Sequence, residues 1–180
     1  MFKSFLLSLT ILMSSNLIFG ENSEISKKLL YAQKIDNQNE KLGESIDSEI
    51  RLQLIKFLFE GDVKNFMLFS SFEFLEHEIE RDTVKFFYRG YVDSSFYSEE
   101  QIKEVKDFLF KDRVVLCKTK NFRKNLFLLD PQLEFIVIDK LNKPFINFKI
   151  NKETCRELEP FGRDRALTER DVKRFINKLN

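Results

Sequence analysis

Apolar positions recur along this chain at spacings that change from stretch to stretch, and each spacing predicts an element. In SEIRLQLIKFLFEG, Ile50, Leu54, Ile55 and Leu58 share one helical face and Gly61 stops the helix. The run VKNFMLFSS (63–71) is short, apolar and closed by serines, which reads as a buried strand. Ser70 and Glu73 stand at capping-box spacing, predicting a helix that carries Phe74, Leu75 and Ile79. TVKFFYRGYV reads as a second strand. Ser98 and Gln101 repeat the capping-box spacing ahead of Ile102, Val105, Phe108 and Leu109, so a helix follows there. RVVLC (113–117) is a third strand candidate. NLFLLDPQLEFIVIDKLNKPFINFKI (125–150) admits two readings: strand, short helix, strand, or a hairpin of 133–138 against 144–150. At the end, Thr168 and Asp171 cap a helix with Val172, Phe175, Ile176 and Leu179 on one face. Before all of these, 21–46 is polar, with a weak stripe at Ile25, Leu29 and Leu30, and reads as a loose helix or leader.

Strands alternating with helices from residue 63 onward imply an α/β layer fold with a mixed sheet. The expected division is a signal peptide over 1–20, an N-terminal helical leader over 21–61 and an α/β domain over 62–180. The signal segment is read from MFKSFLLSLTILMSSNLIFGENSE: one cation, Lys3, then an apolar stretch from Phe5 to Met13, then Gly20 before a polar run. The stretch is short against the roughly 20 residues a membrane span needs. An uncleaved N-terminal anchor helix is the alternative. Either way the body is expected outside the cytoplasm.

Composition changes this picture little. Of 180 residues, 43% are hydrophobic and 33% charged, which excludes a disordered chain. Lys and Arg (30) balance Asp and Glu (29), so no basic excess points to nucleic acid. Cys117 and Cys155 permit a disulfide in an oxidising compartment, or stand as two separate buried thiols. They are too far apart for a Cys-x-x-Cys redox pair.

Candidate chemistry is sparse. The one histidine, His77, reads as a surface residue in the middle of a helix, with acidic neighbours. No metal-ligand spacing, phosphate loop or triad pattern is present in the sequence, so neither cofactor nor metal is expected. The basic stretch KTKNFRKN (118–125) reads as a solvated loop. Arg89 is the conspicuous cation. It ends an apolar strand, and Gly90 after it permits a sharp turn or a close backbone approach. At the C-terminal end of a parallel strand Arg89 faces the crevice where open sheets bind ligands, with Asp93 or Asp130 as a carboxylate partner. Its other reading is an ion-pair partner that closes the end of the sheet.

Three stretches taken in order resemble the TrbC family, the type-F conjugative transfer pilin assembly proteins. They are the Ser-ended strand before FEFLEHEI, the strand ending in Arg89-Gly90, and the Asp130-Pro131-x-Leu133 segment leading to a strand opened by Pro144. The resemblance covers residues 63 to 150. It implies a thioredoxin-like mixed sheet flanked by helices, lacking Cys-x-x-Cys, in an exported periplasmic protein that binds rather than catalyses. Ser70, Arg89, Gly90, Asp93, Asp130, Pro131 and Pro144 are then partner-binding or structural residues, and Pro144 is the proline that is often cis in such folds. The implied partners are other secretion or pilus-assembly proteins, with no nucleic acid, no small-molecule substrate, and membrane contact only through the secretion apparatus. The alternatives are a periplasmic thioredoxin-like redox protein or chaperone using Cys117 alone, and a lineage-specific envelope protein.

Overall fold

Strict alternation of apolar and polar residues builds the centre of the molecule. The computed structural model describes residues 27–60, 72–156, 158, 160 and 165–177. Four strands, β1 (Glu73–Glu80), β2 (Thr83–Arg89), β3 (Gln132–Ile138) and β4 (Pro144–Ile150), form one sheet in the order β1-β2-β3-β4. β1 and β2 are an antiparallel hairpin, β2 and β3 run parallel, and β3 and β4 are a second antiparallel hairpin. A parallel neighbour requires a crossover, and helices supply it: α3 (Glu99–Val114), a 3₁₀ turn (Val115–Lys118) and α4 (Lys120–Leu129). Helix α1 (27–44) and α2 (Ser48–Glu60) precede the sheet; α5 (Lys152–Arg156) and α6 (Glu169–Ile176) follow it. The expected mixed α/β sheet flanked by helices is therefore present. The expected boundaries at 20/21 and 61/62, the strand over 63–71 and Ser70 lie outside the described residues.

Every second residue of β2, β3 and β4 is buried. At one register the core face carries a row of rings, with Phe135 paired to Phe86 on one side and Phe148 on the other. Their centroids are 5.2 Å and 4.8 Å apart, in stacked geometry. Leu54 and Ile55 of α2, Leu109 of α3, Leu126–Leu129 of α4 and Val172 of α6 close over this face. The other face carries partly exposed Lys85, Phe87, Glu134 and Ile136, with Lys85 bonded to Glu80 at 2.6 Å.

Three local expectations are corrected. Residues 74–79 form strand β1, not a helix. The register shifts between Phe74 and Glu76, so Leu75 is an extra residue and Phe74 and His77 share the core face. That three-residue step mimics helical spacing in the sequence. His77 is accordingly on a strand, stacked 6.4 Å from Phe86. Residues 113–117 form no strand; α3 runs through Val114 into the 3₁₀ turn, because the Ser98–Gln101 capping box and buried Leu109 and Arg113 carry the helix onward against the β-branched valines. The 118–125 stretch is no solvated loop, since it starts α4 and buries Phe122 and Arg123. Of the two readings of 125–150, the hairpin is the observed one, preceded by α4. The Thr168–Asp171 cap of the last helix forms as its spacing predicts, with the Thr168 N–H donating to Asp171 Oδ2 at 2.9 Å.

Helix α1 is seated by polar and small residues. Leu30 of the expected stripe is 65% exposed, while Ala32, Ile35, Asp36, Asn39 and Gly43 make the buried face. Gly43 permits the contact: a Cβ there would run into the carbonyl oxygen of Leu128 on α4. Asp36 meets Arg123 in a fork, Nε at 3.0 and 3.1 Å from the two carboxylate oxygens and Nη2 at 2.6 Å. Arg123 Nη1 also donates to the Leu158 carbonyl at 2.6 Å. Glu40 accepts from Lys152 Nζ at 2.6 Å and from Arg156 at 3.1 Å. These two bonds, Lys152 foremost, hold the Glu40 carboxyl below its ordinary range.

Cys117 and Cys155 form a disulfide, with Cα atoms 5.1 Å apart and a sequence separation of 38. In the chain-entropy picture, closing a loop of that length stabilises the fold by about 4 kcal/mol.

Candidate functional site

The parallel pair β2–β3 ends at Arg89 and Ile138, β4 begins beside it at Pro144 and β1 begins at Glu73 opposite Arg89, so four strand ends meet at one edge of the molecule. Two connections leave from there. The 90–98 segment runs through a 3₁₀ turn (Ser94–Phe96) into α3, and the 139–143 turn joins β3 to β4. Between the first connection, the N-terminal half of α3 and the start of β4 lies an open groove of about 230 Å³. Tyr91, Val92 and Tyr97 supply one side, Ile102 and Val105 of α3 another, and Phe72 and Phe145 the remainder. Gly90 sits against it: a methyl group there would meet the Phe72 and Phe145 rings at 3.4 and 3.5 Å. Tyr91, one of its lining side chains, is 72% exposed; Phe96, on the adjoining 3₁₀ turn with Lys140 Nζ 5.9 Å over its ring, is 81% exposed.

Asp139 frames the groove. It is fully buried and ties the two connections together. Its Oδ2 accepts from the Ser94 hydroxyl (2.7 Å) and N–H (3.2 Å), and its Oδ1 from the N–H groups of Leu141 (2.8 Å) and Lys143 (2.9 Å). Burial alone pushes this carboxyl up, but the four hydrogen bonds outweigh it and lower its pKa to about 2. The backbone completes the frame, with Gly90 N–H on the Ile138 carbonyl at 2.8 Å and Lys140 N–H on that of Val92 at 2.9 Å.

The structure brings Arg89, Gly90, Asp93 and Pro144 to this edge. Arg89 Nη1 lies 3.8 Å from Glu73 and its Nη2 3.4 Å from Asn142 Oδ1. Neither expected carboxylate pairs with it. Asp93 caps the 3₁₀ turn by accepting from the Ser95 hydroxyl (2.6 Å) and N–H (3.1 Å), and those bonds, ahead of nearby Lys140, lower its pKa. Asp130 and Pro131 are elsewhere, at the far end of β3 and about 20 Å along the strand. Asp130 ends α4 with φ 49° and ψ 45° and lies 2.8 Å from Lys152. Pro144 opens β4 in the trans form, since no described peptide bond is cis. Cys117 is fully buried and bonded to Cys155, so it is not a free thiol. Sequence reading missed Asp139 and the aromatic walls. The signal for Asp139 was an Asp opening the turn DKLNKP, where an Asx side chain can bond the backbone two and four residues on.

Among the described residues no group of three or more His, Cys, Asp or Glu is arranged to hold a metal, and no helix is long and apolar enough to cross a membrane.

No protein-family model matches the chain, so the TrbC resemblance rests on its own quoted residues. No curated protein matches it either. Two solved structures are remotely similar. One is the pilotin EpsS of the Vibrio vulnificus type 2 secretion system, at 12% identity and a TM-score of 0.45 over 61% of this chain and 97% of that one. The other is the type II secretion system pilotin AspS of Vibrio cholerae, at 16% identity and a TM-score of 0.41 over 58% of this chain and 92% of that one.

Proposed function

We propose that this chain is an exported, non-enzymatic protein-binding module of the periplasm that assists assembly of a conjugative pilus or type IV secretion channel. A partner polypeptide docks in the groove beside Gly90. The observation that carries this reading is the groove itself: apolar walls, the exposed rings of Tyr91 and Tyr97 among them, and a hydrogen-bonded frame beside it. Aromatic side chains are the type that anchors protein interfaces, and covering each is worth about 1.5–3 kcal/mol before the costs of association. Arg89 holds the strand end in place through Glu73 and Asn142 and offers its partly exposed guanidinium to the partner's edge.

Photo-crosslinking in the producing cell tests this. A crosslinking residue at Tyr97 is expected to capture a component of a secretion or pilus-assembly machine, and one at exposed Lys111, nearer the C-terminal end of α3, is not. Ile102→Glu should abolish the Tyr97 product while the chain stays folded, and Arg89→Ala should weaken it. Equal capture from both positions, or capture that survives Ile102→Glu and Arg89→Ala alike, overturns the reading.

A further inference from the structure

Helix α5 is little more than one turn, and its one buried residue is Cys155. The bridge to Cys117 is its buried attachment to the body, beside the Lys152–Asp130 ion pair at 2.8 Å, the Arg156 guanidinium 5.3 Å over the Phe127 ring and the Asn151–Thr154 cap at its start. Yet α5 carries Lys152 and Arg156, the two cations that hold Glu40 of α1. Arg156 also donates to Asn37 of α1 at 3.1 Å. A second polar anchor of α1 reaches the same bridge, beside the Leu167 N–H bond to Asn39 and the Gly43–Leu128 contact. Arg123, which forks onto Asp36, is steadied by the carbonyls of Cys117 (3.3 Å) and Leu158 (2.6 Å), the first a bridge residue and the second just beyond α5. The sheet core, by contrast, is held by the Phe86–Phe135–Phe148 row and its neighbours.

We propose that the Cys117–Cys155 bridge is the lock of helix α1: helix 27–44 seats on the body only once the bridge has closed. Closure is a thiol–disulfide exchange. The thiolate of one cysteine attacks the disulfide of an oxidant and displaces one of its thiolates. The oxidant is a disulfide-carrying oxidase in an oxidising compartment, or oxidised glutathione in vitro. The second cysteine's thiolate then attacks the chain's sulfur in the mixed disulfide. The Cys117–Cys155 bond forms, the oxidant's other thiolate leaves, and the two thiol protons end on the reduced oxidant. Both cysteines are fully buried in the finished fold, so the exchange precedes closure of the seam. Helix α1 thus reports whether the chain has reached an oxidising compartment.

Hydrogen exchange on the full chain tests the lock. In Cys117→Ala/Cys155→Ala, amides of 27–44 are expected to exchange within about tenfold of the unprotected rate, while those of 132–150 stay protected at least about a hundredfold. Equal residual protection in the two stretches, or wild-type protection of 27–44, overturns the proposal. A second variant, Lys152→Gln/Arg156→Gln, keeps the bridge, as thiol titration will verify, and covers the case in which the cysteine variant fails to fold. It is expected to release 27–44 selectively. Unchanged protection there means the lock does not run through α5 and equally overturns it.

Discussion

Arg123→Met removes the guanidinium from the α1–α4 seam and leaves an apolar chain of similar length. Asp36, 2% exposed, then keeps its place on α1 and loses its three close contacts at 3.0, 3.1 and 2.6 Å. Taking one partner from a buried pair costs about 3–5 kcal/mol, because the remaining charge stays uncompensated in a poorly solvated site. Against a total stability of roughly 5–15 kcal/mol, that is a large fraction. The deficit should depend on pH. Burial already holds the Asp36 carboxyl above its ordinary value of 3.8, while Arg123 pulls it down. Without Arg123 the folded-state value rises further. A carboxyl raised on folding contributes stability that is fully present below its unfolded pKa and lost as pH climbs through the folded one. Acidification from neutrality toward pH 4 should therefore narrow the gap between Arg123→Met and the wild type. Urea unfolding at neutral pH and near pH 5, on wild type, Arg123→Met, Asp36→Leu and the double variant, reads this directly. The double variant should lose less than the two single losses combined, since it buries no unpaired charge. An Arg123→Met deficit below about 1 kcal/mol at neutral pH, unchanged on acidification, would refute the view that this pair closes the seam.

Other outcomes follow from the same packing. Phe135→Ala removes the central ring of the Phe86–Phe135–Phe148 row and should cost about 3–5 kcal/mol in denaturant unfolding, with the far-ultraviolet spectrum of the folded state retained. Gly43→Ala drives a methyl group toward the Leu128 carbonyl and should cost about 1–3 kcal/mol, read in the same assay and accompanied by faster exchange in 27–44. Asp139→Ala unties Ser94 from the 139–143 turn, so crosslinking from Tyr97 should fall together with amide protection over 90–98. Because the Asp139 pKa is lowered to about 2, its stabilisation is present above the ordinary 3.8 and fades as pH falls toward 2. Protection over 90–98 should therefore drop in that window in the wild type and not in Asp139→Ala.

Short-range information was legible in the chain. The Ser98–Gln101 and Thr168–Asp171 caps, the alternation of β2 and the 133–138 and 144–150 hairpin all appear where spacing puts them, because a cap or a pleat involves residues a few positions apart. Arg89 was likewise legible as the end of a strand parallel to a neighbour. The bulge at Leu75 was not, since one inserted residue turns a two-residue period into an apparent helical step. Helix α1 reads as a loose helix or leader, but its buried face was hidden for a different reason. Its inner face is Ala32, Asp36, Asn39 and Gly43 beside a single Ile35, and polar residues read as surface until a partner is known. That partner, Arg123, lies 87 residues away in a basic stretch that looks solvated. Only the tertiary structure could bring the two together, because burying a charge is tolerable solely where the fold supplies its counterion. The groove has the same origin. Its walls come from Phe72, the 91–97 segment, α3 and Phe145, which no local pattern links, and a concave surface exists only once the chain has placed them around one edge of the sheet.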